Sequence, residues 1–234
     1  LFARDADALC AAPHTGAVLL TPLDADVPAD GSLLATIMYG AASGLEARYV
    51  DGGFMLPPLE LVQGGQRIPV TQRRLPGSLI RLEFARRPAP GAYTLAGFAG
   101  PGETPPTVNI GGTLPPPPAA PVLTHVTHRE RHETYDTPRG SGRLTHWNTS
   151  VQLGQALPAG NAFLVLRTVG TTTGSQFFQA RQGTTLEESG TLGERCGIGF
   201  VEGRGRVAVR AQVEAYVIDQ FGRESPVSPA VRVR

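Results

Sequence analysis

Apolar and polar residues alternate over short runs in both halves of the chain, the pattern of β-strands with one face on a core and the other in solvent. Ile80, Leu82 and Phe84 would point to one side of such a strand. The intervening Arg81 and Glu83 would point to the other side. The sequence has no sustained helical period with caps, so the pattern predicts an all-β protein.

Strand-length runs are separated by turn sequences such as Asp-Gly-Gly at 51–53 and Pro-Gly at 90–91, where glycine accepts a positive φ. The clearest alternation lies at 207–217, which predicts one long strand. The predicted strands are 16–20, 32–39, 46–50, 54–62, 67–71, 78–84, 92–98 and 107–110 in the first half, and 122–135, 143–153, 162–169, 175–180, 206–219 and 227–233 in the second.

A proline-rich run divides the sequence almost at its midpoint. Residues 114–121 read LPPPPAAP, with five prolines in eight residues. Such a run favours an extended polyproline II conformation and acts as a stiff connector. We therefore predict a first domain at 1–113, a linker at 114–121 and a second domain at 122–234, with each domain near the commonest domain size.

Composition agrees with two modest β domains. Apolar residues make up 41% of the chain and charged residues 18%, with 29 glycines and 21 prolines for turns. The net charge is +1, and all 21 basic residues are arginine, which we attribute to a GC-rich coding bias. No basic stripe with interleaved aromatics is present, so nucleic acid is not expected as a partner. No apolar run approaches 18 residues, so no transmembrane segment is predicted.

Two stretches of sequence carry family resemblances. Residues 213–233 read VEAYVIDQFGRESPVSPAVRV, which resembles the last two strands of fibronectin type III domains, and Trp147 would be the early core tryptophan of that family. Residues 21–33 and 82–95, with an Asp-Gly opening and a Pro-Gly turn before Tyr93 and Leu95, resemble bacterial immunoglobulin-like domains. The resemblances imply two tandem antiparallel β-sandwiches, immunoglobulin-like and then fibronectin type III-like.

Histidines are concentrated in one predicted strand. Three of the five histidines lie at 125–132, and His128, Glu130 and His132 would share one face of that strand. With His146 across a hairpin, two or three imidazoles and a carboxylate could bind a metal ion. The alternative is a solvated polar strand face with ordinary histidines. No cofactor is predicted.

The two cysteines, Cys10 and Cys196, lie one in each predicted domain. In an oxidising compartment they could form a disulfide, and otherwise they are buried or free thiols. The first residues, LFARD, lack the apolar run of a signal peptide, and we expect a mature or trimmed product.

No nucleophile elbow, phosphate-binding loop or Cys–His pair with suitable spacing is present, and Glu187 and Glu188 fall in a predicted turn, so we expect a non-catalytic protein. We predict a bacterial secreted, periplasmic or cell-surface protein that binds a protein or surface glycan through loops such as 40–45, 171–174 and 182–195. Two alternatives stay open: a self-assembling structural subunit or spacer of an extracellular assembly, and a periplasmic metal-binding protein that uses the histidine-rich strand.

Overall fold

A computed structural model describes residues 15–39, 45, 47–50, 53–75, 78–137, 140–157, 163–170, 176–179, 183–195, 198–202 and 210–234. These residues form antiparallel sheets and contain no helix, which confirms the all-β prediction. The strands before the proline run are β1 (Thr15–Leu19), β2 (Ser32–Tyr39), β3 (Arg48–Val50), β4 (Gly53–Met55), β5 (Leu59–Gln63), β6 (Gln66–Arg74), β7 (Leu79–Phe84), β8 (Gly91–Ala96) and β9 (Thr107–Ile110). The strands after it are β10 (Leu123–Thr137), β11 (Gly140–Leu153), β12 (Phe163–Thr168), β13 (Gln176–Gln179), β14 (Thr185–Arg195), β15 (Ile198–Glu202), β16 (Gln212–Ile218) and β17 (Val231–Arg232).

The described residues fall into two compact units. The N-terminal unit consists of the described part of Pro13–Pro117 together with Ile218–Glu224. The C-terminal unit consists of the described parts of Pro118–Val217 and Ser225–Arg234. The N-terminal unit is therefore discontinuous in sequence, because it includes a seven-residue segment that begins at the last residue of β16.

A seven-stranded sheet in the order β1-β2-β7-β6-β5-β8-β9 forms most of the N-terminal unit. Its central strand, β6, joins two sets of neighbours. Residues 66–70 pair with β5 and residues 70–74 pair with β7, so β6 changes partner at Val70. Val27 meets the far edge of the sheet, where its N–H donates to the Asn109 carbonyl at 2.8 Å.

One face of this sheet packs on a single hydrophobic core, to which all seven strands contribute. Leu33, Leu61 and Leu82, from β2, β5 and β7, are fully buried. Each such side chain contributes roughly 1.5–3 kcal/mol by leaving water. A continuous sheet must curl if a single face is to enclose a core, so these strands fold around the core.

The C-terminal unit contains two four-stranded sheets, β10-β11-β14-β15 and β13-β12-β16-β17. Their core includes Val151 and Leu186 from the first sheet and Leu164, Phe178 and Val213 from the second, all of them buried. Alternation explains the pattern in β16, where every second side chain from Val213 onward enters this core.

Backbone hydrogen bonds also connect the two sheets of the C-terminal unit. The N–H of Arg234, just beyond β17, donates to the Val126 carbonyl at 2.9 Å. The N–H of His128 donates to the Arg234 carbonyl at 3.1 Å. The end of the second sheet is thereby bonded to the outer edge of β10.

Three predicted strands differ from the structure, and one of them, 227–233, is reduced to the two residues of β17. The predicted strand 54–62 is divided between β4 and β5, because Pro57 and Pro58 between them cannot donate ladder hydrogen bonds. The predicted strand 206–219 begins at Gln212 among the described residues. Arg210 has a φ of 65°, and an extended strand cannot include this left-handed conformation.

The predicted loop 182–195 is also wrong, because most of it is strand β14. Glu187 and Glu188, expected in a turn, pair in register with Ser150 and Thr149 of β11. Leu186 provides the reason, since its side chain enters the core and fixes the face that β14 turns inward. Glu187 lies on the exposed face of this strand, and Glu188 lies on the Leu186 face opposite Thr149, so the two carboxylates belong to a strand rather than a turn.

Candidate functional site

The predicted metal-binding residues lie on the long hairpin of β10 and β11. Arg131 is directly opposite His146 in this hairpin. Opposite residues of an antiparallel pair share a face, and successive residues alternate faces. His146 therefore shares its face with Arg131, whereas His128, Glu130 and His132 occupy the other face. The register keeps His146 from converging with the other three.

His128 is buried on one face of the hairpin, with a side chain that is 0% exposed. Its Nδ1 lies 2.7 Å from Thr149 Oγ1, and its Nε2 lies 3.2 Å from Glu130 Oε1. Its ring stacks on Trp147 with 6.4 Å between centroids and 26° between planes. Both imidazole nitrogens therefore already have partners within the chain.

The other two histidines have separate partners. His132 Nδ1 lies 3.0 Å from Thr145 Oγ1, directly across the hairpin. His146 Nε2 lies 3.2 Å from Glu133 Oε2 on the opposite face. Within the described ranges, no group of three or more His, Cys, Asp or Glu side chains could hold a metal ion. The arrangement is one of separate cross-strand pairs.

Thr149, His128 and Glu130 form a hydroxyl–imidazole–carboxylate chain, the combination of groups that activates a nucleophile in serine hydrolases. Thr149 is 0% exposed, so its hydroxyl is closed to any substrate that arrives from solvent. The Glu130 side chain, 24% exposed, lies at the outer end of the chain. The two hydrogen bonds give the buried polar atoms of Thr149 and His128 the partners that buried polar atoms need. They leave no nucleophile that a substrate could reach.

Beyond His128, no side chain that the structure describes on β10 belongs to the buried core. The six residues at 129–134, RERHET, are all exposed, although successive residues point to opposite faces. β10 has 15 residues, whereas a strand in a globular protein usually has about five or six. We call residues 129–134 the exposed strand. It offers two arginines, two glutamates and a histidine to solvent on a regular backbone.

Other predicted features fall partly or wholly outside the described residues. Cys10 and Cys196 both lie outside them, as do residues 40–44 and 171–174 of the predicted binding loops. The third predicted loop is β14, as noted above.

Two threonines that bond the histidines were not among the residues predicted from the sequence. Thr145 and Thr149 lie four residues apart on β11, as His128 and His132 do on β10. This matched spacing is the signal that could have found both pairs, because a hairpin register that aligns one pair aligns the other. To use this signal one must know where the turn between β10 and β11 lies, and the spacing alone does not give that position.

No family model matches the chain, and a comparison with curated proteins gives no match. The described residues include no helix of the length and apolar character needed to cross a membrane.

Proposed function

We propose that this chain is a non-catalytic bacterial binding protein, secreted or carried at the cell surface. In this proposal it consists of an immunoglobulin-like and a fibronectin type III-like β-sandwich connected by the proline-rich run. Its partner is a protein or surface glycan, recognised by polar contacts. The observation that carries the binding function is the exposed strand, which extends a regular sheet beyond the core it covers.

Strand order supports a sandwich for the C-terminal unit. In immunoglobulin-type folds the first, second and fifth strands (A, B, E) share one sheet, and the third, sixth and seventh (C, F, G) share the other. Here β10, β11 and β14 share one sheet with β15, and β12, β16 and β17 share the other with β13, so the order agrees when β15 is counted as an additional strand after β14. Trp147 on β11 is 3% exposed, which also agrees with the expected core tryptophan.

The N-terminal unit has the same order of strands. β1, β2 and β7 are neighbours in the positions of A, B and E, and β5, β8 and β9 in the positions of C, F and G. β6 connects the two groups by pairing with both β5 and β7. Strands that pass between sheets form the corners of some sandwiches, so a continuous sheet is compatible with this architecture.

The exposed strand supports a binding role through its energetics. Ordering a residue costs roughly 1–2 kcal/mol of backbone entropy, and residues 129–134 offset little of this by apolar burial. Arg129, Arg131 and Glu133 present both charges on one face and Glu130 lies on the other, which suits a polar partner and protects the strand from non-specific aggregation. We therefore assign recognition to this strand rather than to the loops.

The experiment measures binding of the labelled full chain to immobilised extracellular-matrix proteins and to a glycan array. The test variant Arg129→Ala/Arg131→Ala/Glu133→Ala removes three charges from the exposed strand. The control variant Arg86→Ala/Arg87→Ala/Asp24→Ala removes the same charges from exposed positions of the N-terminal unit. We expect saturable wild-type binding that weakens at least about tenfold in the test variant and is unchanged in the control.

Two results would contradict this proposal. One is the absence of saturable binding to every immobilised protein and glycan. The other is equal loss of binding in both variants, which would indicate a general charge effect. Light scattering over a range of concentrations separates the assembly alternative, because a subunit that self-assembles gains mass as concentration rises and a monomeric binding protein does not.

A further inference from the structure

Two buried hydroxyls of the N-terminal unit donate to the segment Ile218–Glu224. Thr21, 2% exposed, accepts the N–H of Leu34 at 2.8 Å and donates to the Gln220 carbonyl at 2.9 Å. Ser32, 1% exposed, accepts Arg81 Nε–H at 2.8 Å and donates to the Phe221 carbonyl. Each hydroxyl is thus held by a donor of the sheet and directed at one of two consecutive carbonyls.

The same segment completes the hydrophobic core of this unit. Phe221 is 3% exposed and belongs to the core cluster of the seven-stranded sheet. Gly222 has a φ of 69°, and a Cβ built on it would lie 2.9 Å from Arg81 Cγ. The backbone therefore approaches the sheet more closely than a side chain at 222 allows.

Internal hydrogen bonds form the segment into a turn. Asp219 Oδ1 accepts the N–H groups of Phe221 and Arg223, each at 2.9 Å. Asp219 Oδ2 accepts Arg223 Nε–H at 2.8 Å, and the guanidinium lies 5.7 Å from the centroid of the Phe221 ring. A turn that is organised by its own side chains loses less entropy when it binds.

The proline run supplies the last contacts. Arg223 Nη1 donates to the Pro115 carbonyl at 2.7 Å, and Nη2 donates to the Pro116 carbonyl at 3.2 Å. Proline carbonyls suit this role, because a polyproline backbone makes no hydrogen bonds within itself. The beginning of the run is thereby bonded to the turn.

We propose that the N-terminal unit carries an acceptor site for a turn of sequence Asp-Gln-Phe-Gly-Arg. The site consists of the Thr21 and Ser32 hydroxyls, a core opening for one phenyl ring, and the carbonyls of Pro115 and Pro116. Its ligand is residues 219–223 of the same chain, bound in cis. The site recognises two backbone carbonyls, an aromatic ring and a guanidinium, and it is filled in the intact protein.

The first test is hydrogen exchange on full-length Phe221→Ala. We expect the amides of β2 and β7 to exchange at least about tenfold faster than in the wild type, with the amides of β11 and β12 unchanged. Phe178→Ala is the matched control, because Phe178 is an equally buried phenylalanine of the C-terminal unit. It should give the reverse pattern. Unchanged exchange in β2 and β7 of Phe221→Ala would overturn the proposal.

The second test distinguishes a recognition site from an ordinary piece of core. A full-length variant in which 219–223 are replaced by Gly-Ser-Gly-Ser-Gly leaves the site vacant. The peptide VIDQFGRES should bind this variant in calorimetry at millimolar concentration, while VIDQAGRES should not, and neither should bind the wild type. Binding of both peptides, or of neither, would overturn the proposal. If the vacated variant does not fold, the two peptides are added to Phe221→Ala, where VIDQFGRES should bind and slow the exchange of β2 and β7 and VIDQAGRES should not; no such difference would overturn the proposal.

Discussion

Apart from the β3–β4 hairpin and β15, the described strands of the two units follow one order, but the units join their sheets at different places. In the N-terminal unit β6 pairs with β7, so the two groups of strands form one continuous sheet. In the C-terminal unit β13 occupies the corresponding position and pairs only with β12 among the described strands. There the sheets are connected at the opposite side, where Arg234 bonds to β10.

The neighbours of two strands account for this difference. β6 has nine residues and reaches β5 and β7 in succession, whereas in the C-terminal unit β15 pairs with the corresponding edge of β14. Ile68 and Val70 anchor the first half of β6 in the core, and its second half, residues 71–74, is polar and lies largely in solvent. Backbone pairing rather than apolar burial therefore holds that second half to β7.

The largest predicted effect comes from breaking the pairing of β6 with β7. The Ala85 N–H donates to the Pro69 carbonyl, and alternate residues face the same neighbour, so Thr71 N–H also faces β7. Thr71→Pro removes that donor from the middle of the sheet. We expect the free energy of unfolding of the N-terminal unit to fall by at least about 3 kcal/mol in urea denaturation.

Thr71→Ala is the control, because alanine keeps the backbone N–H. Thr71 is exposed, so this change should cost no more than about 0.5 kcal/mol. A proline variant as stable as the alanine variant would mean that the β6–β7 pairing contributes nothing, and that the N-terminal unit behaves like two separate sheets.

Alternation along the sequence predicted the all-β class and most of the strands. Predicted strands such as 78–84 and 107–110 agree closely with β7 and β9, because one face of each is apolar and turn residues bound them. β14 was not predicted, because the consecutive carboxylates Glu187 and Glu188 are typical of a turn. The residue of this strand that enters the core is Leu186. Local pattern could not reveal that contact, which depends on register with β11.

The candidate site was predictable only in part. The shared face of His128, Glu130 and His132 follows from strand periodicity. The position of His146 does not, because a change of one residue in the hairpin register would reverse its face. The docking of 219–223 was also beyond the sequence, since a polar turn with a glycine resembles an ordinary exposed loop until Phe221 is known to be buried.

A second contrast between the units is the added segment Ile218–Glu224, and Gly222→Ala tests its close approach. Alanine at this position must adopt a left-handed conformation at a cost of about 1 kcal/mol and must displace Arg81 at roughly 1–2 more. Gly64→Ala, also at positive φ but with nothing within 4 Å of the added Cβ, isolates the first cost. Thermal unfolding should show a total loss of about 2–3 kcal/mol for Gly222→Ala and about 1 for Gly64→Ala. Equal losses would contradict the close contact.

Within the C-terminal unit, His128 and His132 form a matched pair on one face of one strand. His128→Ala empties a fully buried position and leaves the Thr149 hydroxyl without its partner away from water, so it should cost about 2 kcal/mol. His132→Ala empties an exposed position, where water can bond the Thr145 hydroxyl instead, so it should cost no more than about 0.5 kcal/mol. Trp147, the single tryptophan, stacks on His128 and reports unfolding by fluorescence. Similar losses for both variants would mean that burial of the imidazole is not what stabilises the hairpin.

The smallest stability effect should come from the exposed strand, whose role we assign to binding. Arg131→Ala removes an exposed side chain, so the free energy of unfolding measured in urea should change by no more than about 0.5 kcal/mol. Arg167→Ala is the contrasting control in the same unit, because Arg167 pairs with Glu214 at 2.6 Å and its guanidinium lies 5.4 Å from the centroid of the Tyr216 ring. We expect a loss of about 1 kcal/mol there, since a partly buried ion pair and a cation–π contact are both removed. If Arg131→Ala were the more destabilising of the two, residues 129–134 would contribute to folding, and their exposure would no longer support a role in recognition.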